Sequence, residues 1–262
     1  MFEKIFAIFE LTVKKVKEPA FSILFVIAAL VGYSVSGMGQ LSFEQSGDVM
    51  FGLISLEQGA PLQIGFVVIL LMTLIVAVFG GATDIPKDID SRMIMLILAK
   101  PVRRVEYLLG KYLGIVAICV VFFFVASIAA CVSYAIDHEQ MLSFAVVVRQ
   151  LMLVLLIFPF VAMTMMISAY LSDISAMIVT IIYLIMSVCI SAFSVLIDML
   201  PKSLEVVSVI HLFSYFVPNY FYFFSSFKYL GAVIVALILY AFSMTVIFLS
   251  IAAYRLNKRD ML

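Results

Sequence analysis

Two long apolar runs are joined by the stretch DIPKDIDSRMIMLILAKPVRRVEYLLGKYLG, which spans Asp84 to Gly114, and Pro86 and Pro101 bracket its middle. Proline has no backbone N–H to donate, so we expect Pro86 to stop the helix that precedes it. Pro101 is expected to separate the middle of the stretch from the helix that follows. The stretch therefore predicts a short helix at about 86–101, between two membrane-spanning helices.

The predicted short helix is amphipathic. Asp88 and Asp90 lie in its first turn, where the helix dipole favours negative charge. A solvated loop would need neither an apolar stripe nor the proline brackets, which favours a rigid docking element facing the cytosol. A helix that only rests at the membrane surface is the alternative. The apolar stripe is formed, at helical spacing, by Met93, Leu96 and Ile97.

The whole chain is too apolar for a soluble fold. Of its 262 residues, 66% are hydrophobic and only 12% are charged. Soluble domains have roughly half apolar and about a quarter charged residues. A soluble domain of this composition would carry an apolar exterior. No stretch is polar enough to form a soluble domain, so the sequence predicts a single membrane domain over 1–262.

Apolar runs long enough to cross a bilayer recur along the chain. A helix needs about 20 mainly apolar residues for this, and lipid cannot satisfy the backbone groups of an open strand edge. We therefore predict an all-α integral membrane fold with six transmembrane helices, the fourth of them kinked at Pro159. The predicted spans are 20–38, 63–83, 107–136, 148–170, 174–197 and 229–254.

The first apolar run has an alternative interpretation as a cleaved signal peptide, because lysines precede it and small residues follow it. The sixteen mostly apolar residues from Ala20 to Val35 exceed the usual signal core. We expect a membrane span instead.

Lysine and arginine residues are distributed unevenly over the six-span arrangement. Thirteen of the 16 lie in the N-terminal segment, around the loop between the second and third spans, or in the C-terminal tail, all on one side of the membrane. Only Arg149, Lys202 and Lys228 lie on the other side. Cytosolic loops are enriched in these residues, so both termini are predicted to be cytosolic.

The N-terminal segment is predicted to form an amphipathic helix at about 2–17. At about 100° per residue its apolar side chains fall within one arc, and its charged side chains lie outside that arc. We expect the helix to lie in the membrane plane, either as a passive anchor or with a mechanical role. The arc contains Phe2, Ile5, Phe6, Phe9, Val13 and Val16.

The predicted outer loop at 198–228 is rich in phenylalanine and tyrosine. Aromatic rings favour the headgroup level of a bilayer. We expect this loop to lie at the outer surface as an anchor, with a role in substrate binding as the alternative.

Polar side chains inside the spans are few. Ser187 and Ser191 lie one turn apart in the fifth span, with Ser194 near them, and Thr73 lies in the second span. Small polar residues at this spacing support close helix packing, and lining of a translocation path is the alternative. A path so poor in charge favours a lipid-like or amphiphilic cargo over a small ion.

The Asp84–Gly114 stretch resembles the coupling segment of type-two ABC exporter permeases. An acidic pair is followed by a polar–apolar run, then by K-P-V-x-R and by L-L-G-K-x-L-G. The resemblance covers nearly the whole chain: an N-terminal elbow helix, six spans, a coupling helix after the second span, and Val217-Pro218-Asn219 in the loop before the sixth. Ser91 and Arg92 stand where the family often has Gly-Thr.

The resemblance implies a permease subunit that is not itself an enzyme. In that family the coupling helix inserts into a cleft of an ATP-binding subunit, and the second and fifth spans line a path between two permease copies. The expected partners are two ATP-binding subunits, a second permease copy in a homodimer or heterodimer, and lipid of the bacterial cytoplasmic membrane. No cofactor is expected in this chain, since ATP and Mg²⁺ belong to the partner. The residues expected at the ATPase interface are Asp88, Asp90, Arg92, Lys100, Pro101, Arg103 and Arg104.

Other kinds of site are not indicated. The sequence has no G-x-x-x-x-G-K-[ST] loop, so ATP hydrolysis is not expected on this chain. His138 and His211 lie in predicted outer loops, so no metal site is predicted, and no broad basic face points to nucleic acid.

Two rival functions stay open. One is a channel or secondary carrier without ATP, expected to show charge or broken helices at mid-membrane; the other is a membrane scaffold subunit without a transport role.

Overall fold

Long α-helices make up nearly all of the chain that a computed structural model describes, namely residues 2–14, 26–27, 29–30, 33, 60–90, 103–138, 150–198 and 230–258. No strand occurs among these residues. The N-terminal helix ends at Lys14, and residues 15–17 of its predicted range lie outside the described part. The helices are α1 (Phe2–Lys14), α2 (Ala60–Asp90), α3 (Arg104–His138), α4 (Ile157–Tyr170), α5 (Asp173–Asp198) and α6 (Leu230–Lys258).

Five helical segments within the described residues are long and apolar enough to cross a membrane, and they correspond to the predicted second to sixth spans. The predicted first span, 20–38, lies outside the described residues apart from five helical positions. A total of six spans therefore stays a prediction. The five segments are Gly65–Asp90, Arg104–Ile136, Gln150–Tyr170, Asp173–Ile190 and Val235–Lys258.

The end of α2 differs from the sequence-based expectation. The prediction that Pro86 stops the helix is wrong, because α2 continues through this residue to Asp90. Asp84 and Asp88 lie on either side of the proline and both contact Lys111 of α3, which holds the last turns of α2 in place. Membrane helices tolerate proline where neighbouring groups compensate for the lost N–H. Residues 86–90 thus belong to α2, and 91–102 lie outside the described residues.

The fourth span is interrupted where Pro159 predicts a kink. After a helical turn at 150–154, the N–H groups of Leu155 and Leu156 donate to carbonyl oxygens only three residues earlier, at 3.1 Å each. The regular helix α4 then begins at Ile157. Pro159 lacks the N–H that would bond to the carbonyl of Leu155, which explains a break at this position.

The core lies between α2, α3 and α4, with α6 packed along α4. α5 packs against α2 and α4 through a narrow face. Only 17% of its stretch Asp173–Ile190 is buried in this chain, against 67% for the fourth span, so most of the surface of this stretch is available to lipid or to another chain. The largest buried apolar side chains of the core include Phe66, Ile69, Leu70, Leu74, Phe123 and Phe160.

α2 and α4 approach each other closely at Gly81. A Cβ atom added to this glycine would lie 3.0 Å from Thr164 Cβ and still closer to the Thr164 hydroxyl oxygen. The neighbouring Gly80 is in a different situation, because the nearest atom to its added Cβ is Ile115 Cγ2 at an ordinary 3.6 Å. Gly81 is therefore required for the contact between α2 and α4, whereas Gly80 is not.

Charged side chains gather at one end of the helix bundle, which we call the charged end. There the last turns of α2 contact Lys111 of α3, and Arg104 at the start of α3 contacts the last residues of α6. Arg255 near the end of α6 lies over the ring of Tyr170 at the end of α4, 5.2 Å from its centroid. Thus α2, α4 and α6 all end where α3 begins, as a chain that crosses the membrane back and forth requires.

Candidate coupling site at the charged end

A buried group of polar side chains joins the end of α2 to the start of α3. The side chain of Lys111 is 0% exposed, and its Nζ donates to Asp88 Oδ2 at 2.7 Å and to Asp84 Oδ2 at 3.1 Å. The Tyr107 hydroxyl donates to the same oxygen of Asp88, also at 2.7 Å. We call Asp84, Asp88, Tyr107 and Lys111 the Lys111 cluster.

Helical spacing places the members of the Lys111 cluster opposite each other. Asp84 and Asp88 are four residues apart on α2, and Tyr107 and Lys111 are four residues apart on α3. Residues at this spacing share one face of a helix. One acidic face therefore meets one donor face across the interface between α2 and α3.

The energetics of the Lys111 cluster depend on all its charges together. Removing one partner of a buried ion pair costs about 3–5 kcal/mol, because the other charge is left uncompensated. Replacing the whole pair with neutral groups is often neutral for stability or even favourable. The cluster therefore constrains which atoms face each other more than it adds to the free energy of unfolding.

The two carboxylates of the Lys111 cluster differ in their surroundings. Asp84 borders a cavity of about 20 Å³ between α1, α2 and α3, which also has Thr12, Gly80 and Cys119 in its wall. This volume admits about one water molecule. Asp88 does not border the cavity, and it holds the shorter of the two contacts with Lys111 as well as the bond from Tyr107. We therefore regard Asp88 as the main counter-ion of Lys111.

The first turn of α3 is fixed at both its backbone and its side chains. The N–H of Arg103 donates to Glu106 Oε2 at 3.0 Å, as in one half of a capping box. Nη1 of Arg104 donates to the carbonyl oxygens of Leu256 and Asn257, at 2.6 and 3.0 Å. These carbonyls lie at the C-terminus of α6, where the helix dipole favours a cation. Arg104 thus joins the start of α3 to the end of α6.

α1 packs on α3 through two glycines that are four residues apart. A Cβ added to Gly110 would lie 2.7 Å from Ile8 Cβ, and one added to Gly114 would lie 2.6 Å from Thr12 Cβ. Glycine at this spacing lets two helix backbones approach closely. Ile8 and Thr12 are buried, whereas Phe6 of the predicted apolar arc is 63% exposed. Ile5, Phe9 and Val13 of the arc are half-buried, so Phe6 is the most exposed of its described members. The position of α1 in the membrane plane stays a prediction.

The structure separates the residues that the sequence assigns to the ATPase interface. Asp88 is only 4% exposed and bonded within the chain, so it is not part of an exposed docking surface. Arg104 is half-buried and bonded to the end of α6. Asp90 and Arg103 are exposed, at the last residue of α2 and just before α3. Arg92, Lys100 and Pro101 lie outside the described residues.

Of the residues predicted to pack helices or to line a path, two are buried and two have side chains outside the described part of the chain. Thr73 is buried, and its hydroxyl donates to the carbonyl oxygen of Ile69 in the same helix at 2.8 Å. Ser187 is buried on the narrow packed face of α5. The side chains of Ser191 and Ser194 lie outside the described part of α5. Burial of Thr73 and Ser187 favours the packing interpretation, and a path role stays a prediction.

Sequence reasoning did not identify the Lys111 cluster or the two-glycine contact. A local signal was present, because an acidic pair four residues apart precedes the loop and a Tyr–Lys pair four residues apart follows it. Complementary pairs at helical spacing on two helices joined by one loop predict a contact between those helices. Local sequence properties instead place Asp88, together with Asp90, in the first turn of a separate helix.

The helices and the charged end together define a class of protein. The chain is a multi-pass helical membrane protein in which the end of α2 and the beginning of α3 are joined at the charged end. The sequence model of the ABC-2 family transporter protein matches residues 7–261. The match spans nearly the whole chain, so the chain belongs to the ABC-2 transporter family and is a permease of the type-two ABC class. A search of curated proteins finds no match.

Proposed function

We propose that this chain is the membrane-spanning subunit of an ABC exporter in the bacterial cytoplasmic membrane. It pairs with a second permease copy and couples to two separately encoded ATP-binding subunits. Membership of the ABC-2 transporter family implies an ATP-binding partner in general terms. The observation that supports the more specific proposal is that α2 ends at Asp90 and α3 begins at Arg104, both at the charged end.

The segment between α2 and α3 is the proposed docking surface for the ATP-binding subunit. It leaves α2 after Asp90 and enters α3 at Arg104. The exposed side chains at its two ends, Asp90 and Arg103, carry opposite charges and are available to a partner. The excess of lysine and arginine around this segment supports a cytosolic position, where such a partner would bind.

The second permease copy and the cargo are proposed from the surfaces of the spans. The wide uncovered face of α5 supports a second copy beside it, with lipid over the remainder. The charged side chains of the five described spans all lie toward the charged end. A path through such an apolar region favours a lipid-like or amphiphilic cargo, moved outward.

Co-purification from the native membrane tests the proposed function. A tagged chain is solubilised in mild detergent, and the proteins bound to it are identified and assayed for ATP hydrolysis. We expect an ATP-binding subunit in a one-to-one ratio with the permease. Recovery of the intact permease without any nucleotide-binding protein would instead support the channel, carrier or scaffold alternatives.

A charge-reversal variant tests the docking surface. Asp90→Arg combined with Arg103→Glu reverses both exposed charges at the ends of the segment and breaks no hydrogen bond of either side chain among the described contacts. The matched control is Lys258→Glu, which reverses an exposed charge at the end of α6. We expect the double variant to lose the ATP-binding subunit while membrane insertion is unchanged, and the control to retain it. Equal retention in both variants would place the docking surface elsewhere.

A further inference from the structure

We propose that Lys111 is a positioning residue that makes α2 and α3 move together when the segment between them is displaced. The inference rests on the proposed function, because it concerns how motion of an ATP-binding subunit enters the bundle. Lys111 does not contact the partner, since its side chain is fully buried. Its effect is exerted through Asp84 and Asp88 of α2.

The Lys111 cluster lies beside both ends of the segment between α2 and α3. Asp88 lies two residues before the end of α2, and Lys111 lies seven residues after the start of α3. The ion pair between them, at 2.7 Å, joins the two helices beside the point where the segment leaves one and enters the other. A force on the segment therefore acts on a joined pair of helix ends and not on two independent ends.

The energetics point to a geometric role for the ion pairs. A buried pair contributes little net stability compared with neutral side chains of similar size. Its directional contacts nevertheless fix the relative positions of its groups, and Tyr107 adds a third contact to the same oxygen of Asp88. An apolar replacement could fill the space, but it would let α2 slide against α3 without breaking a specific bond.

The first turns of α3 also connect this pair of helices to the rest of the charged end. Arg104 bonds to the C-terminus of α6, while Gly110 and Gly114 hold α1. Displacement of α3 therefore reaches α1 and α6 directly, and the ion pairs of Lys111 connect α2 to α3 at the same end. Through its ion pairs with Asp84 and Asp88, Lys111 connects α2 to α3, and so to α1 and α6.

Three variants separate a positioning role from a purely structural one. Lys111→Met leaves two buried carboxylates without their cation and is expected to reduce folding. The triple variant Lys111→Met, Asp84→Asn, Asp88→Asn removes the lysine and both carboxylates. No buried charge is left without a partner, so this variant is expected to fold and to insert. Lys111→Arg keeps a cation that can donate to both carboxylates, and it is expected to preserve function at least in part.

The readouts use the complex of the permease with its native ATP-binding subunit. Amounts of bound partner measure assembly. An environment-sensitive fluorophore on the exposed native thiol Cys189 measures the response of the membrane helices to ATP against ADP. We expect the triple variant to bind the partner and hydrolyse ATP. The effect of ATP on the conformational equilibrium, read from the fluorescence, is expected to fall about 5- to 150-fold, the range of a typical coupling free energy. Lys111→Arg should recover most of that change.

The outcomes distinguish this inference from the proposed function. If the unmodified permease carries no ATP-binding subunit, the proposed function fails. If it carries one and the triple variant responds to ATP as strongly as the unmodified complex, Lys111 is not a positioning residue. If the triple variant does not fold, Asp88→Asn decides, because it removes the shorter ion pair of Lys111 while Asp84 still neutralises the lysine. A reduced response with normal assembly supports the inference, and an unchanged response overturns it.

Discussion

The adjacent glycines of α2 offer a controlled test of how closely α2 and α4 pack. Gly81→Ala adds a methyl group against the side chain of Thr164, whose hydroxyl donates to the carbonyl oxygen of Val161 at 2.7 Å. Thr164 can move away only by giving up this bond or by shifting α4. Gly80→Ala adds the same group one residue earlier, where the nearest atom is 3.6 Å away.

The difference between the two variants isolates the steric cost. Replacing glycine by alanine inside a helix stabilises it by about 1 kcal/mol, and this gain is common to both positions. Overpacking a well-packed core costs about 1–3 kcal/mol, and this cost applies only to Gly81. We therefore expect Gly81→Ala to be less stable than Gly80→Ala by about 1–3 kcal/mol, or roughly 2–12 °C in Tm for a chain of this length.

The native cysteines provide the assay. Cys119 is buried, Cys131 is half-buried and Cys189 is exposed, so a thiol-reactive dye reports unfolding through Cys119 once Cys131 and Cys189 have been replaced by serine. Both alanine variants are heated in the same detergent on this background, and the midpoints of dye incorporation are compared. Detergent and background contribute equally to both midpoints and leave their difference unaffected.

A second substitution tests whether the contact with Thr164 causes the loss of stability. Thr164→Ala removes the hydroxyl and the γ-methyl group that an alanine at position 81 would meet. Combined with Gly81→Ala it should recover part of the lost stability, but not all, because the Cβ contact of 3.0 Å remains. Equal midpoints for Gly80→Ala and Gly81→Ala, or no recovery with Thr164→Ala, would refute the close approach of α2 and α4 at this point.

Three further changes test the remaining contacts. Gly110→Leu should release α1 from α3 and speed proteolysis of the N-terminal helix, since its Cβ alone would lie 2.7 Å from Ile8 Cβ; unchanged cleavage would contradict the packing. Arg104→Met should free the last turn of α6, at a cost of about 1 kcal/mol for a part-exposed charged hydrogen bond, and raise hydrogen exchange there; equal exchange would argue against the bond. In the folded protein, thiol reagents should modify Cys189 first, Cys131 more slowly and Cys119 only on unfolding, and early modification of Cys119 would contradict its burial.

The positions of the described spans could be predicted from the sequence because they depend on one property, the apolar character summed over successive residues. A run of about 20 apolar residues must be helical in lipid, whichever neighbours it packs against. The break before Ile157 was predictable for a related reason, since the missing N–H of Pro159 is a local feature of the chain.

The end of α2 and the use of its acidic residues could not be predicted in this way. Pro86 and Asp88 have the local properties of a helix boundary, and the structure overrides these properties through contacts with Lys111. That residue is on another helix, and the fit of one acidic face against one donor face is a tertiary property. The same holds for Gly110, whose spacing with Gly114 suggests a close contact without indicating which helix makes it.

The Lys111 cluster also has a consequence for how the polypeptide is made. Asp84 and Lys111 are 27 positions apart, so the carboxylates of α2 leave the ribosome before the lysine that neutralises them. A carboxylate is costly to place in hydrocarbon, and until its counter-ion has been synthesised it must stay in contact with water. We therefore expect α2 to reach its final depth only after the beginning of α3 has emerged, so that the two helices are integrated as a hairpin.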